Sequence, residues 1–584
     1  MGQAYGKLTG HSTTYTLLLL IIAAKYTAFS VTRNKLKTTL LERLASLLSG
    51  SSLISHLLAD TIGLAAAWRV LCWLTSITDF GRITNKQKYD YVGAIFFDTF
   101  KGIPPLSWVL NKEEKKMAEG LRKTLKSSAH VTEMVSKLPT QGRDPQSLIA
   151  EVSKMVSFED VKWKSGQVSG AVYHGGAEHL ECMNTVSSMY SLSNPLHPDV
   201  WPSLRKFEAE IISMTCDFLN GGDENVVGCM TSGGTESILM AVKAHRELGL
   251  REYGIEFPEM IIPVTAHAAF DKAAEALRIK LIKLPVDPVT FQVDPILVKA
   301  RINGNTILIV GSAPNYPMGT IDKIRDLASL AKHYNVGMHV DCCLGGFILP
   351  FAKQAGFEIP DFDFSIPGVT SMSCDTHKYG YAVKGTSVVL FRNKNYRHHM
   401  YWCYADWTGG LYCTPTMAGS RAGSVSAACW ASMMQMGRQG YVDAATKIIK
   451  TREHIQAGIE LIPGIEVCGQ PKAMVVAWRA TLRSLNVYRI ADQMSHRGWS
   501  INSLQNPSAV HLCVTFPHTK DNMADRFLKD LREVVAELST EVMSGGGSKS
   551  DGGGNAPIYG MTASLPKGPV NSMLNTYIDV VLEI

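Results

Sequence analysis

Short apolar runs alternate with segments of helical periodicity along most of this 584-residue chain. From about Asn111 onward the runs include NVVGCMTSG, EMIIPVTAHA, TILIVGSAP, VGMHVDCC, TSMSCDTHK and TSVVLF, with helical stretches such as 271–278 and 324–333 between them. This alternation predicts an α/β fold with a mostly parallel sheet covered by helices on both faces. Such sheets bind ligands beyond the carboxyl ends of their strands, so residues that directly follow an apolar run are the candidates for chemistry.

The composition is that of an ordinary globular protein, with 46% hydrophobic and 19% charged residues. The net charge of +6 comes from 58 basic and 52 acidic residues without long basic runs, which argues against a nucleic-acid partner. Twelve cysteines form no CxxC pair, a pattern that indicates a reducing compartment. Cys374 and His377 form a CxxH without a second half, so we predict no metal site.

The amino terminus has the character of a membrane anchor. Residues 1–41 contain no Asp or Glu, and the apolar run Tyr15–Ala24 is followed by Lys25 and further basic residues. That run is shorter than the roughly 20 residues that cross a bilayer. A second segment, Ser51–Thr78, is long enough but carries Asp60 and Arg69, so a buried or interfacial helix is an equal alternative. A cleaved signal or transit peptide also remains open. If the first segment is the anchor, the basic residues that follow it should face the cytosol by the positive-inside tendency, and so should the rest of the chain.

The sequence divides into four regions. We expect an anchor or targeting region at 1–110, a helical segment of the catalytic unit at 111–200 and a large domain at 201–440. A smaller α+β domain should follow at 441–584, and its Gly- and Ser-rich stretch 544–555 should be a flexible loop.

Two charged residues follow apolar runs in the large domain. Lys378, in SMSCDTHKYGYAVKGT, can form a Schiff base if desolvation lowers its pKa, although a solvent-directed surface lysine is the alternative. Asp341, in HVDCCLGG, lies where a carboxylate needs a cation or a hydrogen-bond donor, unless it only caps a turn. A protonated pyridine nitrogen is such a partner, and Cys343 should point to the same side and pack on a flat ring.

Two further motifs point to the same edge of the sheet. TSGGTESI places the amides of Ser232 to Thr235 at the start of a helix, which suits a phosphate, and it matches neither GxGxxG nor a P-loop. An ordinary capped helix start is the alternative reading. His267, in AHAAFDKAA, could stack on a ring or act as an acid or base, although a lone histidine is more often structural.

These motifs together resemble the pyridoxal-phosphate enzymes of fold type I that include the glutamate and aromatic amino acid decarboxylases. The sequence is still more similar to the sphingosine-1-phosphate lyase family, over nearly the whole chain from about Lys137 to Leu565. The similar pieces include SGAVYHGG, SNPLHPDVWPSLRKFEAEI, CMTSGGTESILMA, DTHKYGYAVKGTS, DWTGGLYCTPTMAGSRAG and IYGM. The chain departs from the family at Val383, where we expect Pro, and in its longer anchor region.

The resemblance implies a fold-type-I large domain, pyridoxal phosphate as cofactor, and a homodimer with active sites shared between subunits. Lys378 would carry the cofactor as a Schiff base, His267 would stack on its ring and Asp341 would pair with the pyridine nitrogen. The other cofactor contacts would be Ser232, Gly233, Gly234, Thr235, Cys343, His377 and, from a partner subunit, Ser420. The residues that would bind the substrate phosphate or handle protons are Tyr173, Asn194, His197, Lys384 and Tyr559.

The implied reaction is a retro-aldol cleavage of a phosphorylated sphingoid base to phosphoethanolamine and a long-chain aldehyde. Lys378, His267 and Asp341 would be catalytic together with Lys384, Tyr173 and His197, without a proton transfer assigned to any one of them. An amino acid decarboxylase is the alternative activity, and a membrane-tethered scaffold without catalysis is the alternative of another class. The family suggests the endoplasmic reticulum membrane with the catalytic part in the cytosol, or else the mitochondrion.

Overall fold

The computed structural model describes residues 112, 114–116, 118–123, 135–222, 225–482, 484–520, 522–543 and 567–583. Both predicted anchor segments, the 544–555 loop and Tyr559 lie outside these residues. Within the described ranges, no helix is both long and apolar enough to cross a membrane. Contacts group the chain into two compact units, Asp144–Tyr559 and a second unit of Met1–Arg143 with Gly560–Ile584.

Three helices precede the first strand of the larger unit: α1 (Pro145–Lys164), α2 (Ala177–Met189) and α3 (Pro202–Phe218). Asp144 caps α1, because its side chain accepts a hydrogen bond from the amide of Ser147 at 2.8 Å and Pro145 occupies the first turn. The apolar face of α3, which includes Leu204, Phe207 and Ile211, is buried against the rest of the unit.

A seven-stranded sheet forms the centre of this unit. Its strands are β1 (Val227–Thr231), β2 (Glu259–Pro263), β3 (Lys280–Leu284), β4 (Thr306–Ser312), β5 (Gly337–Asp341), β6 (Ser371–Cys374) and β7 (Ser387–Phe391), in the order β1-β7-β6-β5-β4-β2-β3. β2 to β6 pair in parallel, whereas β7 is antiparallel to both β1 and β6. The predicted α/β class is confirmed, and the sheet is mixed because of β7.

Helices follow most strands and cover both faces of the sheet. They are α4 (Gly234–Tyr253), α5 (Ala269–Ala276), α6 (Pro295–Lys299), α7 (Ile324–His333), α8 (Leu349–Gln354) and α9 (Lys394–His398). Alternate residues of β4 enter different cores: Leu308 and Val310 pack with Val242 of α4, while Ile309 packs with Leu327 of α7. β4 and β5 are therefore buried along their whole length, as their unbroken apolar runs predict.

A smaller sheet follows the long helix α10 (Gly423–Glu460), which bends at Gly437 with φ of 56°. The strands β10 (Ile465–Val467), β11 (Val475–Ala480), β12 (Asn502–Leu504) and β13 (Ala509–Cys513) are antiparallel in the order β10-β11-β13-β12. The helices α11 (Val487–His496) and α12 (Met523–Met543) accompany them, and a 3-10 turn lies at Phe516–Thr519. The predicted domain limits remain predictions; position 440 lies inside α10.

Two further elements complete the described chain. A hairpin of β8 (Trp402–Tyr404) and β9 (Tyr412–Thr414) lies between α9 and α10. In the second unit, α13 (Lys567–Leu582) is followed by Glu583, whose carboxylate accepts two hydrogen bonds of 2.6 Å from Arg122.

A buried histidine links β5 to β6. The imidazole of His339 is fully buried, and its Nδ1 and Nε2 lie 2.9 and 3.1 Å from the hydroxyls of Ser371 and Ser373. Burial, followed by the proximity of His245, lowers the pKa of His339 to about 3. The unfolded chain binds this proton at about pH 6.5, so the contribution of His339 to stability is present above that pH and is lost as the pH falls.

We therefore predict that His339→Asn reduces the pH dependence of stability. Between pH 7.5 and 5.5 the wild type should lose about 1.4 kcal/mol of unfolding free energy through this group, and the variant should not. The measurement is urea unfolding followed by tryptophan fluorescence at both pH values. His398→Asn is the control, because His398 is exposed in the folded protein. Equal pH dependence in wild type and His339→Asn would contradict the prediction.

Candidate active site

The predicted site residues lie at one edge of the large sheet. Ser232 follows β1, His267 follows β2, Asp341 ends β5, and the segment Asp375–Lys378 follows β6. β2, β5 and β6 run in the same direction, and β1 does too because it and β6 are both antiparallel to β7. The carboxyl ends of all four strands therefore meet at the same edge.

The glycine turn after β1 packs directly against the residues that follow β5 and β6. A Cβ on Gly234 would lie 2.8 Å from both carboxylate oxygens of Asp375 and 2.9 Å from Sγ of Cys343. A Cβ on Gly233 would lie 3.3 Å from Cε1 of His377. Only glycine allows the backbone at position 234 to approach this closely.

The amino terminus of α4 forms the second part of this turn. Its first amides have no partner within the helix, as at every helix start, and they are available to an anion. The side chain of Glu236 turns back and accepts a hydrogen bond of 2.7 Å from the amide of Ser232. Its other oxygen accepts a hydrogen bond of 3.3 Å from the amide of Met417. Glu236 thus ties the turn to the segment that precedes Ser420.

Lys378 forms an ion pair with the carboxylate of Asp375, which is not among the predicted site residues. Its Nζ lies 3.0 Å from Oδ2 of Asp375, and the Asp375 side chain is only 2% exposed. Burial works to lower the pKa of Lys378, but the charge of Asp375 and its other neighbours outweigh it, so the pKa lies above the ordinary value. Desolvation alone therefore does not set the pKa of Lys378, because the Asp375 carboxylate acts against it.

The other oxygen of Asp375 faces the glycine turn. Oδ1 is buried and has no hydrogen-bond partner among the side chains and backbone that the structure describes. It is one of the two oxygens that exclude a side chain at position 234. A buried carboxylate oxygen without a donor is costly, so this point of the site favours a donor or a cation.

His377 lies beside the same carboxylate. Its Nδ1 accepts a hydrogen bond of 3.3 Å from the amide of Thr386, which places the proton of the neutral ring on Nε2. Nε2 lies 3.6 Å from Oδ2 of Asp375. Burial lowers the pKa of His377, so the ring is neutral at physiological pH. His377 therefore presents an N–H group toward the Asp375 carboxylate.

Asp341 is buried at the end of β5 and is held through one of its two oxygens. Oδ1 accepts hydrogen bonds from the amide of Cys343 at 3.1 Å and from the hydroxyl of Ser373 at 3.4 Å. Oδ2 takes part in neither bond. The neighbouring Cys343 is buried, which raises the pKa of its thiol and keeps it neutral. The site therefore offers Oδ2 of Asp341 to a cationic N–H group, next to the apolar sulfur of Cys343.

His267 is exposed at the turn between β2 and α5. Its Nδ1 accepts a hydrogen bond of 3.1 Å from the amide of Ala269, which fixes the orientation of the ring. Two residues earlier, the hydroxyl of Thr265 is buried and lacks a hydrogen-bond partner within the described part of the chain. The ring of His267 is thus anchored on one side and open on the other.

Tyr173 and Lys384 form a second layer of the site. Nζ of Lys384 lies 4.5 Å from the centre of the Tyr173 ring, a cation–π contact. Burial, followed by the charge of Lys378, lowers the pKa of Lys384. Burial also raises the pKa of the Tyr173 phenol, which therefore remains a hydrogen-bond donor. Tyr173 packs edge-on against Tyr379, with 4.9 Å between the ring centres.

Asn194 and Ser420 form a separate group. Nδ2 of Asn194 donates a hydrogen bond of 3.1 Å to the hydroxyl of Ser420, and its Oδ1 accepts one of 3.2 Å from the amide of Arg421. His197 is exposed nearby in the chain, with its ring 6.3 Å from that of Trp201. No described hydrogen bond or ring contact joins this group to Lys378, and Tyr559 lies outside the described residues.

Only the structure shows that Asp375 and Glu236 belong to the site. Asp375 stands three residues before Lys378 in DTHK, and that spacing is the signal that could have identified it. Glu236 is recognisable as a helix-opening acid, but its bridge to Met417 joins positions 181 residues apart. The described residues contain no cluster of three or more His, Cys, Asp or Glu side chains that could hold a metal ion.

Comparison with known proteins agrees with this geometry. Residues 198–481 match the pyridoxal-dependent decarboxylase conserved domain. A sphingosine-1-phosphate lyase of Dictyostelium discoideum is 43% identical over 90% of this chain and 96% of its own length. The mouse sphingosine-1-phosphate lyase 1 is 39% identical over 88% of this chain and 89% of its own length.

A solved structure shows the same fold. The sphingosine-1-phosphate lyase of Burkholderia pseudomallei superimposes with a TM-score of 0.67 at 40% identity, covering 71% of this chain and 98% of that protein. The fold is therefore that of the pyridoxal-phosphate-dependent decarboxylases. With this identity over nearly the full length of its relatives, the chain belongs to the sphingosine-1-phosphate lyase family of pyridoxal-phosphate-dependent enzymes.

Proposed function

We propose that this protein cleaves phosphorylated sphingoid bases by a retro-aldol reaction to phosphoethanolamine and a long-chain aldehyde. The observation that carries the proposal is the Lys378–Asp375 pair, packed against the Gly233–Gly234 turn at the edge where Asp341 ends its strand. The relatives named above, which are sphingosine-1-phosphate lyases, supply the substrate class.

The residues present fit pyridoxal phosphate. The turn before α4 offers backbone amides to a phosphate, and a Cβ at Gly234 would fill the space beside it. Asp341 offers Oδ2 to the pyridine nitrogen, and His267 offers the open face of an anchored ring. Lys378 would hold the cofactor covalently through Nζ. When bound, pyridoxal phosphate supplies an electron sink for the charge left on carbon as the carbon–carbon bond breaks.

Lys378 and Asp375 form the proton-handling pair. Nζ must lose a proton before it can act as a nucleophile, and Oδ2 of Asp375 is the acceptor in contact with it at 3.0 Å. Asp375 also holds the ammonium in one place while Nζ is protonated. The neutral ring of His377 presents Nε2–H to the same oxygen and offsets part of its charge.

Lys384 and Tyr173 suit the phosphate end of the substrate. Lys384 places a positive charge over Tyr173, where the phosphate of a phosphorylated base would be attracted. Because the Tyr173 phenol stays protonated, it serves as a hydrogen-bond donor to that phosphate or to the substrate hydroxyl.

A second copy of the chain completes the site in this proposal. Asn194, Ser420 and Arg421 hold one another in a network of their own, at the far end of the bridge formed by Glu236 and Met417. In a homodimer this network would supply Ser420 to the active site of the partner subunit, as the family resemblance implies.

The proposed location follows from the substrate. A base with one phosphate and a long alkyl tail partitions into membranes, so an enzyme that acts on it gains from being tethered there. The acid-free amino terminus with Tyr15–Ala24 is the proposed tether, and the endoplasmic reticulum with the catalytic part in the cytosol is the proposed site.

Lys378→Ala should abolish turnover. The purified protein with pyridoxal phosphate is incubated with a sphingoid base phosphate, and mass spectrometry follows phosphoethanolamine and the matching aldehyde in equal amounts. Lys394→Ala, at an exposed lysine that begins α9, should keep full activity. Carbon dioxide release from amino acids without aldehyde formation would favour a decarboxylase instead. Retained cleavage by Lys378→Ala would overturn the proposal.

Asp375→Asn should lower the pKa of Lys378, because the carboxylate is the main charge that raises it. An opposite charge at this distance shifts a pKa by roughly 1 to 3 units, so reductive methylation of Lys378 in the cofactor-free protein at pH 7.5 should become at least about tenfold faster. Peptide mass spectrometry measures the rate. Asp361→Asn, which removes a carboxylate paired with Lys353 on the surface, should leave that rate unchanged. A slower rate in Asp375→Asn would contradict this role.

Gly234→Ala should weaken cofactor binding. The added methyl group would meet both oxygens of Asp375 and the sulfur of Cys343, so either the turn or the ion pair must shift. We expect the dissociation constant for pyridoxal phosphate, measured by fluorescence titration, to rise by at least about tenfold, equivalent to about 1.4 kcal/mol. Gly304→Ala is the control, since its Cβ meets nothing within 4 Å. Unchanged affinity in Gly234→Ala would show that the turn does not hold the cofactor.

A further inference from the structure

Two cysteines outside the site stand out by their exposure. The structure describes eleven free cysteines, of which only Cys403 and Cys413 are exposed. They lie in β8 and β9, where they are direct partners in the antiparallel register. The flanking pairs, Trp402 with Thr414 and Tyr404 with Tyr412, confirm this register on both sides.

The register brings the two thiols within disulfide distance. Direct partners in an antiparallel pair have Cα atoms about 4.5 or 5.5 Å apart and side chains on the same face. A disulfide requires a Cα separation of about 4.4 to 6.8 Å. Either type of pair therefore satisfies the requirement without a change of backbone register.

Packing on the opposite face holds the hairpin in this register. Side chains alternate along a strand, so the aromatic neighbours of the cysteines point the other way. The ring centre of Trp402 lies 5.6 Å from that of Tyr404 and 5.9 Å from that of Tyr412. Trp407, at the turn, packs edge-on against Tyr412 at 5.7 Å. The aromatic face stabilises the pairing and leaves the cysteine face open.

The buried cysteines are poor competitors for an oxidant. Burial raises the pKa of Cys216, Cys229 and Cys429 to about 12 in each case, which keeps these thiols protonated at physiological pH. The thiolate is the nucleophile in disulfide exchange, so these groups react slowly and are also shielded from reagents.

We propose that Cys403 and Cys413 form a redox-sensitive pair that a low-molecular-weight disulfide, such as glutathione disulfide, converts reversibly to an intrachain disulfide. One thiolate attacks a sulfur of the reagent and releases one thiol as a mixed disulfide forms. The second thiolate attacks the protein sulfur of that mixed disulfide and releases the second thiol. The protein loses two hydrogens, and the reagent is reduced to two thiols.

The disulfide would close the base of the hairpin next to the site. Beyond Cys413, the hydroxyl of Thr414 donates to the carbonyl of Thr416 at 3.2 Å, and the amide of Met417 donates to Glu236. The crosslink would therefore fix the strand that leads into the Glu236 bridge. Oxidation changes the freedom of this segment without touching Lys378.

Tryptic mapping tests the proposal on the full-length protein with pyridoxal phosphate bound. Trypsin releases both cysteines in one peptide, residues 398–421, because the nearest cleavage sites are Arg397 and Arg421. After treatment with glutathione disulfide and alkylation, we expect this peptide mainly with an internal disulfide, two hydrogens lighter than the dithiol, and restored by dithiothreitol. A peptide with two glutathione adducts, or with two alkylated thiols, would overturn the proposal.

Single variants test the exchange step. In Cys403→Ser, the mixed disulfide at Cys413 has no resolving thiol, so a stable single glutathione adduct should accumulate on the peptide. Cys182→Ser is the matched control, because Cys182 is half-buried in α2, and it should leave disulfide formation unchanged. An unmodified Cys413 in the Cys403→Ser variant would show that its thiol does not exchange, and would also overturn the proposal.

Discussion

The buried carboxylate of Asp375 is the charge around which the candidate site is arranged. A buried ion costs several kcal/mol unless a partner compensates it, and here Lys378 is that partner. His377 adds an N–H group from the same turn, and Gly234 brings the start of α4 to van der Waals contact. Gly234 and Asp375, which are 141 positions apart, are thus brought together, and moving the carboxylate would disturb every residue around it.

Much of this arrangement could be predicted from local sequence. The apolar runs identify the strands, and the residues that follow them, from Ser232 to Lys378, lie at one edge because parallel strands share their carboxyl ends. The antiparallel direction of β7 departs from the predicted parallel order, and its signal in the chain is the connection from β6, which contains no helix. The raised pKa of Lys378 could not be predicted, because it depends on the charge of Asp375 beside it in space as well as on burial.

The long-range contacts mark a second limit of sequence reasoning. Asn194 forms a hydrogen bond with Ser420, and Glu236 forms one with Met417. The loops that carry these residues have no regular hydrophobic pattern from which their course could be predicted. These contacts place the segment that leads into GSRAG next to the turn before α4.

The position of β7 has a consequence for how the protein is made. β1 lies at the edge of the large sheet, and its only neighbour among the described strands is β7. A ribosome-bound chain that has already exposed β1 to β6 therefore lacks the strand that holds the Gly233 turn in register. Residue 391 of 584 must leave the ribosomal tunnel before β1 can dock. A site that contains both the Gly233 turn and Lys378 is therefore complete only after β7 has joined the sheet.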